Sequence, residues 1–125
     1  MPHLIVEFSN NIVAEKNRFN ELFQQAHAIL VDCLPPAKIN VCKSRAIECP
    51  IYYAGDGKPE KAFIHITLKI LPGRTDAMIQ QASTHLIQLF ESHFSHSMEQ
   101  LKLQITLEIA ELSKHYYYTE FRKDK

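Results

Sequence analysis

The sequence carries no net charge. Its 14 lysines and arginines are balanced by 14 aspartates and glutamates, so no whole-molecule field draws it to nucleic acid or to an anionic membrane. No stretch approaches the roughly 20 apolar residues of a membrane-spanning helix. No charged leader with an apolar segment behind it opens the chain, and a cytoplasmic location is the expectation. Its three cysteines, Cys33, Cys42 and Cys49, are odd in number and lack C-x-x-C spacing. That argues against a disulfide framework and for free, buried or half-buried thiols. Among seven histidines, His93 and His96 could share a helical face, but neither H-E-x-x-H nor a Cys/His cluster is present, and no metal is expected. The absence of G-x-G-x-x-G and of a P-loop leaves no signature of a cofactor, and none is expected. The longest cationic cluster, Arg122-Lys123 with Lys125, reads as a solvated tail.

What is present is a chain of 125 residues, read as one domain over 1–125 with length enough for a core. From His3 to Phe8 the chain alternates, with Leu4, Val6 and Phe8 on one face and His3, Ile5 and Glu7 on the other. Ser9, Asn10 and Asn11 supply turn and N-cap chemistry. Phe19, Leu22, Phe23, Ala26 and Leu30 then recur at helical spacing, with Glu15, Lys16, Arg18 and Gln24 elsewhere around the wheel. Asp32 to Pro36 ends that helix, because proline has no backbone N–H to donate. Ala37 to Cys49 is extended but irregular, and a loop surrounds Tyr53 to Gly57. Ala62 to Ile70 is the second clear strand, with Ile64, Ile66, Leu68 and Ile70 facing one way and Phe63, His65, Thr67 and Lys69 the other. After Pro72-Gly73, Thr75 and Asp76 open a long helix whose stripe is Ile79, Ala82, Leu86, Leu89, Phe90 and Phe94. Leu101, Leu103, Ile105, Leu107 and Ile109 share a face of a last strand. The tail from Ser113, with Tyr116 to Tyr118, has no clear period.

The order is strand, helix, strand, repeated once: tandem βαβ units, an α/β (α+β two-layer) architecture whose four-stranded sheet has two helices on one face. The other face, with Phe63, His65 and Thr67, is too mixed for a monomer core and too apolar for pure surface. An oligomer that buries it is the economical solution.

Across these elements run Pro2-His3 with the following Ile5, Val6 and Glu7, then Lys43-Ser44-Arg45 and the strand from Ala62 to Ile70. Gly73-Arg74, His93-Phe94, Met98-Glu99, Glu108-Ile109 and Glu111-Leu112 follow in order. With these residues the chain resembles the 5-carboxymethyl-2-hydroxymuconate isomerases of the tautomerase superfamily, nearly end to end. The resemblance implies a homotrimer of βαβ-βαβ subunits acting on a small di- or tricarboxylate; from charge and hydropathy, neither nucleic acid nor a membrane is expected as a partner. It implies ketonisation: a proline nitrogen carries a proton from a dienol oxygen to carbon, and arginines hold the substrate carboxylates.

The residues themselves can be read beside it. Pro2 becomes a secondary amine if Met1 is removed. An unperturbed α-amino group titrates at about 8, and burial with nearby cations lowers that value. A neutral amine is then a general base and its conjugate acid a proton donor; the plain alternative is a proline that stiffens a chain end. Arg74 stands at a strand-to-helix junction, where free N–H groups and a guanidinium favour a carboxylate, or where an arginine simply covers the helix start. Lys43 and Arg45, two apart on a strand, project to one face. Two cations there suit a polycarboxylate and equally a solvated edge strand.

Carried over by position, Pro2 is the base and acid and Arg74 a substrate clamp. Lys43 stands where better-known members carry arginine, keeping the charge without bidentate geometry. Arg45 is either structural or a second clamp. His3 and His65 read as core or interface histidines. The reading from another class is a non-catalytic trimer that binds a small acid or a protein partner.

Overall fold

The computed structural model describes residues 1–122; the expected solvated lysines Lys123 and Lys125 lie outside them. In chain order the elements are β1 (His3–Ser9), α1 (Phe19–Cys33), β2 (Lys43–Cys49), β3 (Lys61–Ile70), α2 (Asp76–His93), α3 (Ser95–Gln100) and β4 (Lys102–Glu111). The sheet order is β2-β1-β3-β4. β1 runs parallel to β2 and β3 parallel to β4, while β1 and β3 pair antiparallel at the centre. Parallel neighbours need a long crossover, and α1 and α2 supply the two.

Alternation decides the faces. Leu4, Val6 and Phe8 of β1 and Ile64, Ile66, Leu68 and Ile70 of β3 turn inward, where Leu22, Ala26 and Leu30 of α1 and Ala82, Leu86 and Phe90 of α2 cover them. Half-buried Leu103, Ile105, Leu107 and Ile109 of β4 complete the layer. Phe90 is fully enclosed, so its truncation to alanine costs about 3–5 kcal/mol. On the opposite face the register lines up Arg45, Ile5, Thr67 and Glu108, and beside them Ile47, Glu7, His65 and Thr106. Phe63 and Ile5 are half-buried there and Ile47 is exposed. His65 bridges Thr106 Oγ1 at 2.6 Å and Glu108 Oε1 at 2.7 Å. No element covers this face within the described residues.

The helix ends divide. Thr75 caps α2 as expected, its side chain accepting the Met78 N–H at 3.2 Å, with Asp76 in the first turn. The Ser9–Asn11 segment does not cap α1, which begins only at Phe19 behind an N-cap Arg18 that makes no side-chain capping bond. Those side chains turn to β3 instead. Ser9 Oγ accepts the Phe63 N–H at 3.0 Å, and Asn11 Nδ2 donates to the carbonyls of Lys61 at 2.8 Å and Pro59 at 3.3 Å. Glu15 therefore lies in a loop, not on a helix wheel. It is only 2% exposed, and its carboxylate accepts the Ser97 N–H at 3.0 Å and hydroxyl at 2.6 Å, the satisfaction a buried charge requires. That contact fixes α3, a third helix beyond the two expected. Among the described residues, no helix is long and apolar enough to cross a membrane.

Candidate active site

Pro2 is buried at the head of β1. Its carbonyl accepts the Lys43 N–H at 3.1 Å, so the register that pairs His3 with Lys43 also sets the start of β2 beside the start of the chain. The Lys43 side chain is exposed, and its Nζ reaches only the Val41 carbonyl, at 3.4 Å. Arg74 arrives from the other half of the fold. Gly73 has a φ of 118°, a backbone region that side-chain-bearing residues avoid, and the turn it permits folds Arg74 back. Arg74 Nη1 donates to the Leu71 carbonyl at 2.9 Å and Nη2 to the Leu34 carbonyl at 3.2 Å. Among the described residues its Nε is buried without a partner. The guanidinium thus staples the β3–α2 turn to the end of α1 while retaining unused N–H groups.

These elements frame a cavity of about 380 Å³, lined by Met1, Val41, Lys43, Leu71, Tyr117, Thr119 and Phe121. A larger groove of about 520 Å³ runs between α2 and β4. Its lining has one ionisable side chain, Glu91, and none of the candidate residues. Of the candidate residues, Lys43 lines the smaller cavity.

The amino terminus in that cavity is held below its ordinary 8.0, first by burial and then by the Lys43 charge; Arg74 adds to the effect and Cys42 opposes it. Lys43 and Arg74 thus act on one amine from two halves of the fold. With Met1 attached, Pro2 nitrogen is an amide; without it, the amine moves one residue inward toward the buried position. Arg45 lies elsewhere, exposed on the open sheet face. It reaches the cavity through a chain: Arg45 Nη1 to His3 Nδ1 at 3.2 Å, His3 Nε2 to Tyr117 Oη at 3.1 Å, and Tyr117 Oη to the Met1 amine at 3.5 Å. Burial, then Arg45, lowers the His3 pKa from its ordinary 6.5, which keeps the ring neutral near pH 7.

Of the candidates, Lys43 bonds the Pro2 carbonyl and lines the cavity, the Lys43 and Arg74 charges both act on the terminal amine, and Arg45 bonds His3. Tyr117 escapes sequence reasoning because the tail has no period; the run Tyr116 to Tyr118 is the one signal that could have found it. Among the described residues, no group of three or more His, Cys, Asp or Glu side chains could hold a metal ion.

The geometry can be set beside known proteins. The family model for 5-carboxymethyl-2-hydroxymuconate isomerase matches residues 2–121. The chain is 37% identical over 114 residues to the 5-carboxymethyl-2-hydroxymuconate Delta-isomerase of Escherichia coli, covering 90% of this chain and 87% of that protein. A crystal structure of a 5-carboxymethyl-2-hydroxymuconate isomerase from Deinococcus radiodurans R1 superposes with a TM-score of 0.87 at 25% identity, over 97% of this chain and 90% of that one. A fused 4-OT wild-type asymmetric trimer shares the fold with a TM-score of 0.72 at 19% identity, over 94% and 91% of the two chains. Matched by the family model from the buried proline to the end of the tyrosine tail, the chain belongs to the 5-carboxymethyl-2-hydroxymuconate isomerase family.

Proposed function

We infer that this chain ketonises an unsaturated, carboxylate-bearing enol of the 5-carboxymethyl-2-hydroxymuconate kind, with Pro2 as the proton carrier once Met1 is removed. The observation that carries the reading is the buried start of β1, where burial, Lys43 and Arg74 together hold the terminal amine below its ordinary 8.0. At Pro2 the same burial and cations would favour the neutral secondary amine, which takes the proton from the dienol oxygen, and its conjugate acid returns that proton to carbon. Lys43 and Arg74 supply the positive charge that draws the substrate carboxylates and stabilises the dienolate as it forms. Arg74 has five N–H donors and gives two to carbonyls, so its anchoring is compatible with binding. Lys43 acts as a point charge, which asks less of the carboxylate's orientation than an arginine fork. Arg45 positions His3.

The active form in this reading is a homotrimer of single-domain subunits that covers the open sheet face. The half-buried Ile5 and Phe63 and the exposed Ile47 on that face and the trimeric 4-OT relative support it. A second reading follows from Met1, whose retention leaves Pro2 an amide and makes the same cationic cavity a binding site for a small acid.

Intact mass of the purified protein, light scattering, and a ketonisation assay with 5-carboxymethyl-2-hydroxymuconate test both. Loss of methionine, a particle three times the 14.5 kDa subunit and turnover are expected. Methionine loss without turnover overturns the isomerase reading. A retained methionine with no turnover favours the acid-binding one.

A further inference from the structure

The Arg45–His3–Tyr117 chain ends at the cavity, and its polarity can be worked out from donors and acceptors alone. A guanidinium has no acceptor atom, so Arg45 Nη1 donates to His3 Nδ1 at 3.2 Å. That nitrogen is therefore unprotonated, and the proton of a neutral ring lies on Nε2. His3 Nε2–H then donates to Tyr117 Oη at 3.1 Å. In the chain that keeps Met1, the Met1 amine also approaches Tyr117 Oη as a donor, at 3.5 Å. Both approaches use the oxygen as acceptor. Among the described residues its own O–H meets no acceptor, and Tyr117 lines the cavity. Fixing one partner of a hydroxyl leaves its proton pointing to what remains, and a donor polarised by an accepted bond gives a stronger one.

We propose that Tyr117 is a catalytic residue of the ketonisation: its O–H donates to the substrate's enol oxygen as that oxygen gains charge in the dienolate. His3 and Arg45 are positioning residues that hold the hydroxyl in this sense. No bond to Tyr117 forms or breaks; the proton moves between substrate oxygen, Pro2 nitrogen and substrate carbon, and Tyr117 keeps its own. The ligand is thus a carbonyl or enolate oxygen beside a carboxylate held by Lys43 and Arg74. The proposal rests on the isomerase reading and deepens it.

The test compares steady-state kinetics of wild type, Tyr117→Phe, His3→Leu, His3→Gln and the double variant Tyr117→Phe/His3→Leu, with Pro2→Ala as the control. Each is checked for Tm, particle mass and loss of Met1. Removing one donor from a developing oxyanion costs on the order of 10²-fold in kcat, so Tyr117→Phe should lose about that much with KM nearly unchanged. His3→Leu should fall toward the same level, His3→Gln should recover part of the loss because its amide N–H can still donate, and the double variant should be no worse than Tyr117→Phe. If Pro2→Ala is inactive while Tyr117→Phe keeps wild-type kcat, the Tyr117 role is overturned and the isomerase reading stands. If Pro2→Ala also turns over normally, the Pro2 role fails with it while the isomerase activity itself stands. Additive losses in the double variant, or a parallel fall in Tm, reduce His3 and Tyr117 to a structural contact.

Discussion

Arg74 separates a pure substrate clamp from a residue that also builds the site. Its two bonds, at 2.9 Å to Leu71 and 3.2 Å to Leu34, join segments that enter the fold 37 residues apart in sequence (71 − 34). Hydrogen bonds from a charged donor contribute about 1.5–3 kcal/mol each when made inside a protein. Arg74 is half-buried, which discounts that figure, so Arg74→Ala should cost about 3 kcal/mol for the pair. At roughly 2.1 cal/mol/K per residue, a chain of 125 residues loses about 4 °C of Tm per kcal/mol, giving a fall of about 10 °C. Lys43→Ala, an exposed side chain with one long bond, should stay within about 0.5 kcal/mol of wild type. Melts followed by circular dichroism at one protein concentration, with KM measured beside them, decide the matter. Both variants should raise KM, and only Arg74→Ala should melt early. An Arg74→Ala protein that melts with wild type while its KM rises would refute the stapling argument.

Two pH dependences follow from the same structure. Lys43 lowers the terminal amine's pKa after burial has done so, and the base works only when neutral. Activity is therefore lost as pH falls through that pKa, and Lys43→Gln should move the acid limb of kcat/KM to higher pH; an unmoved limb contradicts the electrostatic account. His93 is held below its ordinary 6.5 first by burial and then by Arg18, with Glu15 and Glu21 opposing, and its Nε2 is buried without a partner among the described residues. The unfolded chain binds this proton first, so the folded state loses stability as pH drops below about 6.5 and keeps it above. His93→Gln should flatten the fall of Tm between about pH 6.5 and 5, leaving the slope due to His3 and His27, whose pKa values burial also lowers. An unchanged slope removes His93 from that account.

The elements with clean periods were legible in the sequence. β1, β3 and β4 alternate because one face meets helices, α2 repeats its apolar stripe, and Thr75 caps it with its own side chain. The start of α1 was not legible, because Ser9 and Asn11 bond across to β3, a long-range choice that competes with local capping. Glu15 looked like surface because its partner Ser97 lies 82 residues away. Pro2, Lys43 and Arg74 were named in the sequence through short motifs; the β1–β2 register sets Lys43 beside the start of the chain, and the turn at Gly73 precedes Arg74. Arg45 was not separable from Lys43 by spacing, since both project to one strand face. Only the hydrogen bond to His3 gives it a different position. Tyr117 follows from tertiary placement alone.

In the proposed mechanism Pro2, freed of Met1, carries the proton. Turnover of 5-carboxymethyl-2-hydroxymuconate by Pro2→Ala, beside wild type and with methionine loss verified by mass in both, tests it most directly. General acid–base groups contribute about 10²–10⁴-fold, and alanine offers a freely turning primary amine in place of a ring-held secondary one. The expected result is a kcat at least about 10²-fold lower with Tm and assembly unchanged. Wild-type kcat in the alanine variant would contradict it.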